Sequence, residues 1–115
     1  MANTFVPVIS SKPAAATETI MYTVPNVGGT TAMVLSLIAA NISGAAGADS
    51  LITIRRLLAG EAVAVPDREV LAEGIVAKQD SFFFSEKLLL AQDERISVES
   101  SDGNVIFTAS MIEFS

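Results

Sequence analysis

The C-terminal stretch Arg95 to Phe114, RISVESSDGNVIFTASMIEF, constrains the fold more than any other part of the chain. Ile96 and Val98 alternate with Arg95, Ser97 and Glu99. After Ser-Ser-Asp-Gly-Asn the alternation resumes, with Val105, Phe107, Ala109 and Met111 on one side and Ile106, Thr108, Ser110 and Ile112 on the other. Successive side chains of a strand point to opposite faces, so a period of two marks strand rather than helix. Asp-Gly between two such runs predicts a β-hairpin whose glycine takes the positive φ of the turn. This pair is expected to close a sandwich. Its last strand is apolar on both sides, through Ile106, Ile112 and Phe114 as well, which predicts a second face covered by another subunit.

The rest of the chain repeats the pattern. Thr17 to Val24 is rich in β-branched residues and reads as a strand, and Pro25 to Gly29 reads as a turn. Thr30 to Ile42 is almost continuously apolar, which predicts a strand buried on both faces for part of its length. A small-residue loop, Ser43 to Ser50, leads to a strand at Leu51 to Leu58. Its adjacent Arg55 and Arg56 must point to opposite faces, so at least one emerges at an edge or pairs with a carboxylate. Ala59 to Glu69 is a connection with a short strand suggested at Ala62 to Val65, and Val70 to Lys78 is extended again. In Ser81 to Glu86, Phe82 and Phe84 share one face and Phe83 takes the other. Lys87 to Leu90 reads as the end of that strand or a short bend, and Asp93-Glu94 as the turn before Arg95. About eight short strands with regular turn signals and no sustained 3.6-residue period predict an all-β domain. The expected architecture is an antiparallel β-sandwich of jelly-roll or Greek-key type.

At 115 residues the chain is expected to form one domain, residues 17–115, preceded by an extended N-terminal arm at 1–16. Pro7 and Pro13 interrupt regular structure, so the segment is expected either to fray as a terminus or, because Phe5, Val8 and Ile9 are costly to leave in water, to dock on a neighbouring subunit. Its removal is expected to leave a folded domain. Half of the residues are hydrophobic, high for so short a chain, which points either to an unusually apolar core or to surface covered by other subunits.

Chemistry is largely excluded by composition. The chain has no cysteine and no histidine, which removes disulfides, thiol catalysis, zinc-cysteine sites and imidazole acid–base chemistry. Thirteen acidic against seven basic residues give a formal charge of −6, unfavourable for direct nucleic-acid binding. Gly28-Gly29 is followed by no lysine and fits no phosphate-binding loop. Asp102-Gly103-Asn104 is only a fragment of a calcium loop. Asp93 and Glu94 have no base-orienting partner in view. No catalytic residue, cofactor or metal is expected. Asn41-Ile42-Ser43 matches the glycosylation sequon, a short and common pattern. The uncharged run from Ile20 to Ala48 is broken by Pro25, Gly28 and Gly29 and is expected not to span a membrane.

Four features, in order and spacing, resemble the small β-sandwich virion proteins of tailed bacteriophages. They are Tyr22-Thr-Val-Pro25, the long apolar strand at Thr31 to Ile42, KLLLAQDERISVESS at Lys87 to Ser101, and the closing Ile112-Glu113-Phe114. The resemblance covers Thr19 to Phe114. It implies a non-enzymatic structural protein of the virion, assembled in the host bacterial cytoplasm. The first expectation is a capsid decoration or cement protein that bridges major capsid subunits, a homo-oligomer and often a trimer in such proteins. A neck, tail or fibre-attachment protein is the alternative within that class, and a soluble carbohydrate- or ligand-binding module the alternative outside it. The subunit-interface candidates are Phe5, Val8, Ile9, Arg55, Arg56 and Phe83.

Overall fold

The computed structural model describes residues 3–44, 47–61 and 69–114. They form nine strands, in order β1 (Asn3–Ser11), β2 (Thr19–Thr23), β3 (Thr31–Asn41), β4 (Ser50–Leu57), β5 (Glu69–Val76), β6 (Ser81–Phe84), β7 (Leu88–Leu90), β8 (Arg95–Ser100) and β9 (Val105–Phe114). No helix occurs among the described residues, so none is long and apolar enough to cross a membrane. The short strand suggested at Ala62 to Val65 lies outside the described residues.

The strands make two antiparallel sheets. Sheet I has the order β1-β9-β3-β6, with β7 also on β3, and sheet II the order β2-β8-β4-β5. The pairings follow one rule: the first half of the chain pairs in reverse order with the second. β1 pairs with β9, β2 with β8, β3 with β6 and β7, and β4 with β5. Rolling that long antiparallel ribbon over itself brings β9 beside β3 and β8 beside β4, which is a jelly roll. The core lies between the sheets. Val34, Leu37, Ala39, Phe107, Ala109 and Met111 come from sheet I; Ile52, Ile54, Ile96 and Val98 come from sheet II.

The β-sandwich matches the sequence expectation, but the pairing of its closing strands differs. β8 and β9 are not a hairpin: β8 lies in sheet II between β2 and β4, and β9 in sheet I between β1 and β3. Their apolar faces oppose each other across the core, which two neighbours in one sheet cannot do. The connection is an arch over the end of the sandwich. Ser101 N donates to Leu51 O at 2.9 Å, Asn104 N to the Asp102 carboxylate at 2.9 Å, and Ile42 N to Asn104 O at 2.8 Å. Gly103 does not take a positive φ; among the glycines Gly29 and Gly60 do.

The N-terminal segment is extended as expected, yet residues 3–11 lie against their own domain as edge strand β1, paired with β9 from Asn3↔Phe114 to Ser11↔Phe107. The register slips between Val6 and Ile9, at Pro7 and Val8. A bulge on an edge strand is where a residue without an N–H is tolerated. Removing Met1 to Lys12 would therefore strip an edge strand from β9. Lys87 to Leu90 likewise differs from expectation. Leu88–Leu90 forms a separate strand on Ala32–Val34, whereas β6 pairs further along β3, at Leu37–Ala40. At eleven residues β3 is long enough for both.

The chain exposes 5989 Å². A compact monomer of this mass exposes about 6,000 Å². Apolar side chains on its surface are therefore not the result of an open or splayed sandwich.

Candidate interaction surface

Strand registers assign each side chain of sheet I to a face. Val6, Ile9, Ala32, Val34, Leu37, Ala39, Phe107, Ala109 and Met111 point inward. The opposite parity faces outward and forms cross-strand rows. Phe5 pairs with Ile112, Ile112 with Met33, and Met33 with Leu89, one apolar row across four strands. A central row of small residues follows, Ser110 beside Ser36. Next come Ser10, Thr108, Ile38 and Phe83 in register, then Ile106 beside Ala40 and Ser81. Phe114 and Thr31 complete the face at the other end. None of these side chains is charged. Phe5 is 75% exposed, Phe83 67% and Leu89 58%. Neighbouring strands lie about 4.8 Å apart with a rise of about 3.4 Å per residue, so four strands and ten residues give a face of roughly 650 Å². Exposed apolar patches beyond a few hundred Å² mark interaction sites.

The outer face of sheet II has the opposite character. Arg55 Nη1 lies 2.9 Å from Glu99 Oε1 and 3.8 Å from Glu18 Oε1. Ser97 Oγ donates to Glu18 Oε2 at 2.5 Å, and Thr53 Oγ1 to Glu73 Oε2 at 3.4 Å. Opposite charges thus cover β4 and β8, and Ser97 beneath them is fully buried. At the end of this sheet an open depression of about 440 Å³ is lined by Thr23, Ala59, Gly60, Glu61, Asp93 and Arg95. Two of its charged groups, Glu61 and Arg95, hold the chain together. Arg95 donates to Leu58 O and Glu61 O, and the Glu61 carboxylate accepts from Leu58 N at 2.6 Å. Such an arrangement caps the β4 end; it offers no nucleophile paired with a base. Among the described residues no three acidic side chains are grouped to hold a metal ion.

Two buried polar groups tie the sandwich internally. Tyr22 on β2 donates its hydroxyl to Glu113 Oε2 on β9 at 2.5 Å, joining the two sheets. Burial, then the hydrogen bond to Glu113 and its negative charge, pushes the Tyr22 hydroxyl well above its ordinary value near 10. Asn41, 2% exposed, donates from Nδ2 to Ala48 O at 3.0 Å and Val76 O at 3.1 Å, and accepts from Ser43 N at 3.0 Å. Both amide hydrogens are used inside the fold. The sequon nitrogen is therefore unavailable for glycosylation in the folded chain.

The six sequence-derived interface candidates fall in different places. Phe5 and Phe83 lie on the uncharged face, and Val8 is exposed at its β1 bulge. Ile9 turns inward and packs against the core. Arg55 is committed to Glu99 and Glu18 within the chain. Arg56 is half-buried on the opposite parity of β4, in register with Ile96, and is also engaged within the chain. Sequence reasoning did not single out Met33, Ile38 or Leu89. A bulge at Leu35, where the β3–β9 register slips between Val34 and Ser36, hid the first two by moving the outward positions of β3 from odd to even residues. Comparison with family models, curated proteins and solved structures finds no match for this chain.

Proposed function

We propose that the chain is a non-enzymatic structural subunit of a larger protein assembly. On the resemblance carried by Tyr22–Pro25, Thr31–Ile42, Lys87–Ser101 and Ile112–Phe114, the assembly is a tailed-phage virion. The role is a capsid decoration or cement protein that bridges major capsid subunits. The observation that carries the reading is the uncharged outer face of sheet I. A surface of roughly 650 Å² approaches the roughly 800 Å² per partner of a standard stable interface. Its rows of Phe5, Met33, Leu89 and Ile112 are the side chains such an interface buries at its centre, where charge is depleted. Arg95 and the Glu61 carboxylate in the depression hold strand and loop together, which also favours a structural role over a catalytic one.

The test is to locate the chain in purified particles by copy counting and labelled antibody, and to compare the heat resistance of particles with and without it. The expected result is many copies over the head and earlier rupture when the chain is absent. Absence from the particle would overturn the reading, and a few copies confined to the neck or tail would move the protein to those structures.

A further inference from the structure

We infer that the partner of the outer face of sheet I is a second copy of this chain, stacked back to back about a two-fold axis; this rests on the reading of the chain as a structural subunit. Three observations point to it.

The first is electrostatic. Each chain carries a formal charge of −6, so two copies repel over most relative placements. The charged side chains of sheet II, Glu18, Arg55, Glu73 and Glu99, lie on its outer face, while the outer rows of sheet I contain no charge. Two copies meeting through sheet I leave the charged side chains of sheet II in solvent and keep those faces at opposite ends of the stack.

The second is the pattern within the face. Along the strands it reads apolar row, small row, mixed row: Phe5-Ile112-Met33-Leu89, then Ser110-Ser36, then Ser10-Thr108-Ile38-Phe83, with Ile106 beyond. A two-fold axis along the strands, between β9 and β3, sets Phe5 opposite Leu89, Ile112 opposite Met33 and Ser110 opposite Ser36. An isologous interface requires this self-complementarity. Sheets stacked face to face sit about 10 Å apart, a spacing that side chains of this size fill.

The third is the lack of a second matching patch. A ring with head-to-tail contacts needs two different complementary surfaces. Among the described residues, the other large exposed apolar side chains are Val27, Ile42 and Leu58 in connections, Val70 and Val8 singly, and the pair Leu51–Ile75. That pair abuts the Glu99-Thr53-Glu73 row. The surface that best complements the uncharged face is the same face on another copy.

The test uses the full chain alone. Sedimentation equilibrium from about 1 to 100 μM is expected to give two chains per particle in solution. Ile112→Lys, which sets an ammonium within the long apolar row, is expected to weaken association by about 100-fold or more. Ile75→Lys on the other sheet is the control and is expected to leave association unchanged. Urea unfolding under dilute conditions checks that both variants fold. Because the chain has no cysteine, Ser110→Cys provides one thiol at the centre of the face, and a short bis-maleimide is expected to couple two chains. The inference is overturned by a monomer throughout that range, by a trimer, by dissociation from Ile75→Lys but not Ile112→Lys, or by failure of Ser110→Cys to couple. A monomer that still occupies particles would sink the dimer and leave the structural role standing; a dimer absent from particles would do the reverse.

Discussion

Replacing Asn41 by alanine tests how the end of the sandwich is held. The side chain supplies three hydrogen bonds to three separate pieces of backbone: Ala48 O in the connection to β4, Val76 O at the end of β5, and Ser43 N just beyond β3. The Val76 and Ser43 bonds are buried, and the Ala48 bond is partly buried. The substitution leaves two buried backbone groups without partners at about 1–3 kcal/mol each, and a third that water reaches. The expected cost is about 2–5 kcal/mol. A domain of this length has a total stability of roughly 6–17 kcal/mol, so the loss is a large share of it. With a urea dependence of about 1.5 kcal/mol per molar, the unfolding midpoint should fall by about 1–3 M. Asn41→Asp keeps the acceptor for Ser43 N but faces two carbonyl oxygens with a carboxylate, and should be worse than alanine at neutral pH. A change under about 0.5 kcal/mol for Asn41→Ala would mean that water replaces all three bonds, which refutes the clamp.

Tyr22→Phe removes the bond between the sheets and should cost about 1–2 kcal/mol at neutral pH, read by urea unfolding. The Tyr22 hydroxyl titrates higher in the folded chain than in the unfolded one, so its stabilisation is complete below its ordinary value near 10 and declines as pH rises beyond it. The gap between wild type and Tyr22→Phe should therefore shrink on going from pH 9 towards strong alkali; a constant gap would refute that linkage. Arg55→Met leaves Glu18 and Glu99 without their shared cation and should cost about 1–2 kcal/mol at low salt, less at high salt because all three side chains are partly solvated. A double-mutant cycle with Glu99→Gln measures the pair, and a coupling energy of zero would mean that the network only covers Ser97.

Strand positions were legible from side-chain alternation because a local pattern is enough to divide a strand into two faces. Val105, Phe107, Ala109 and Met111 share one face as their spacing predicts, and that face, which the spacing left open, is the inner one; the three phenylalanines divide as expected, with Phe82 and Phe84 against the core and Phe83 outside. Partners were not legible, because pairing in a rolled ribbon is settled by contacts far apart in sequence. Asp102-Gly103 turns the chain as the sequence suggests, but whether the next strand lies beside the last or across from it depends on β2 and β4 already flanking β8. Pro7 signalled an irregular arm, since local reasoning does not see that an edge bulge needs no N–H at that point.

The most useful discrepancy lies in β3 and β9. Near-continuous hydrophobicity predicted burial on both faces, yet in the single chain only one face of each strand is in the core. Met33, Ile38, Ile106, Ile112 and Phe114 have no second layer above them and remain partly exposed. Fold stability does not require such residues: threonine or lysine on that face would leave the interior untouched, as Thr53, Arg55 and Glu99 do on the other sheet. The two sheets are built on the same ladder and differ in what they leave outside. A polar and charged exterior suits a solvated face; an uncharged one in which apolar residues outnumber serine and threonine suits a covered face. On the proposed reading of the chain as a structural subunit, the excess of hydrophobic residues over what one core consumes goes into a second core, formed when that face meets a neighbour.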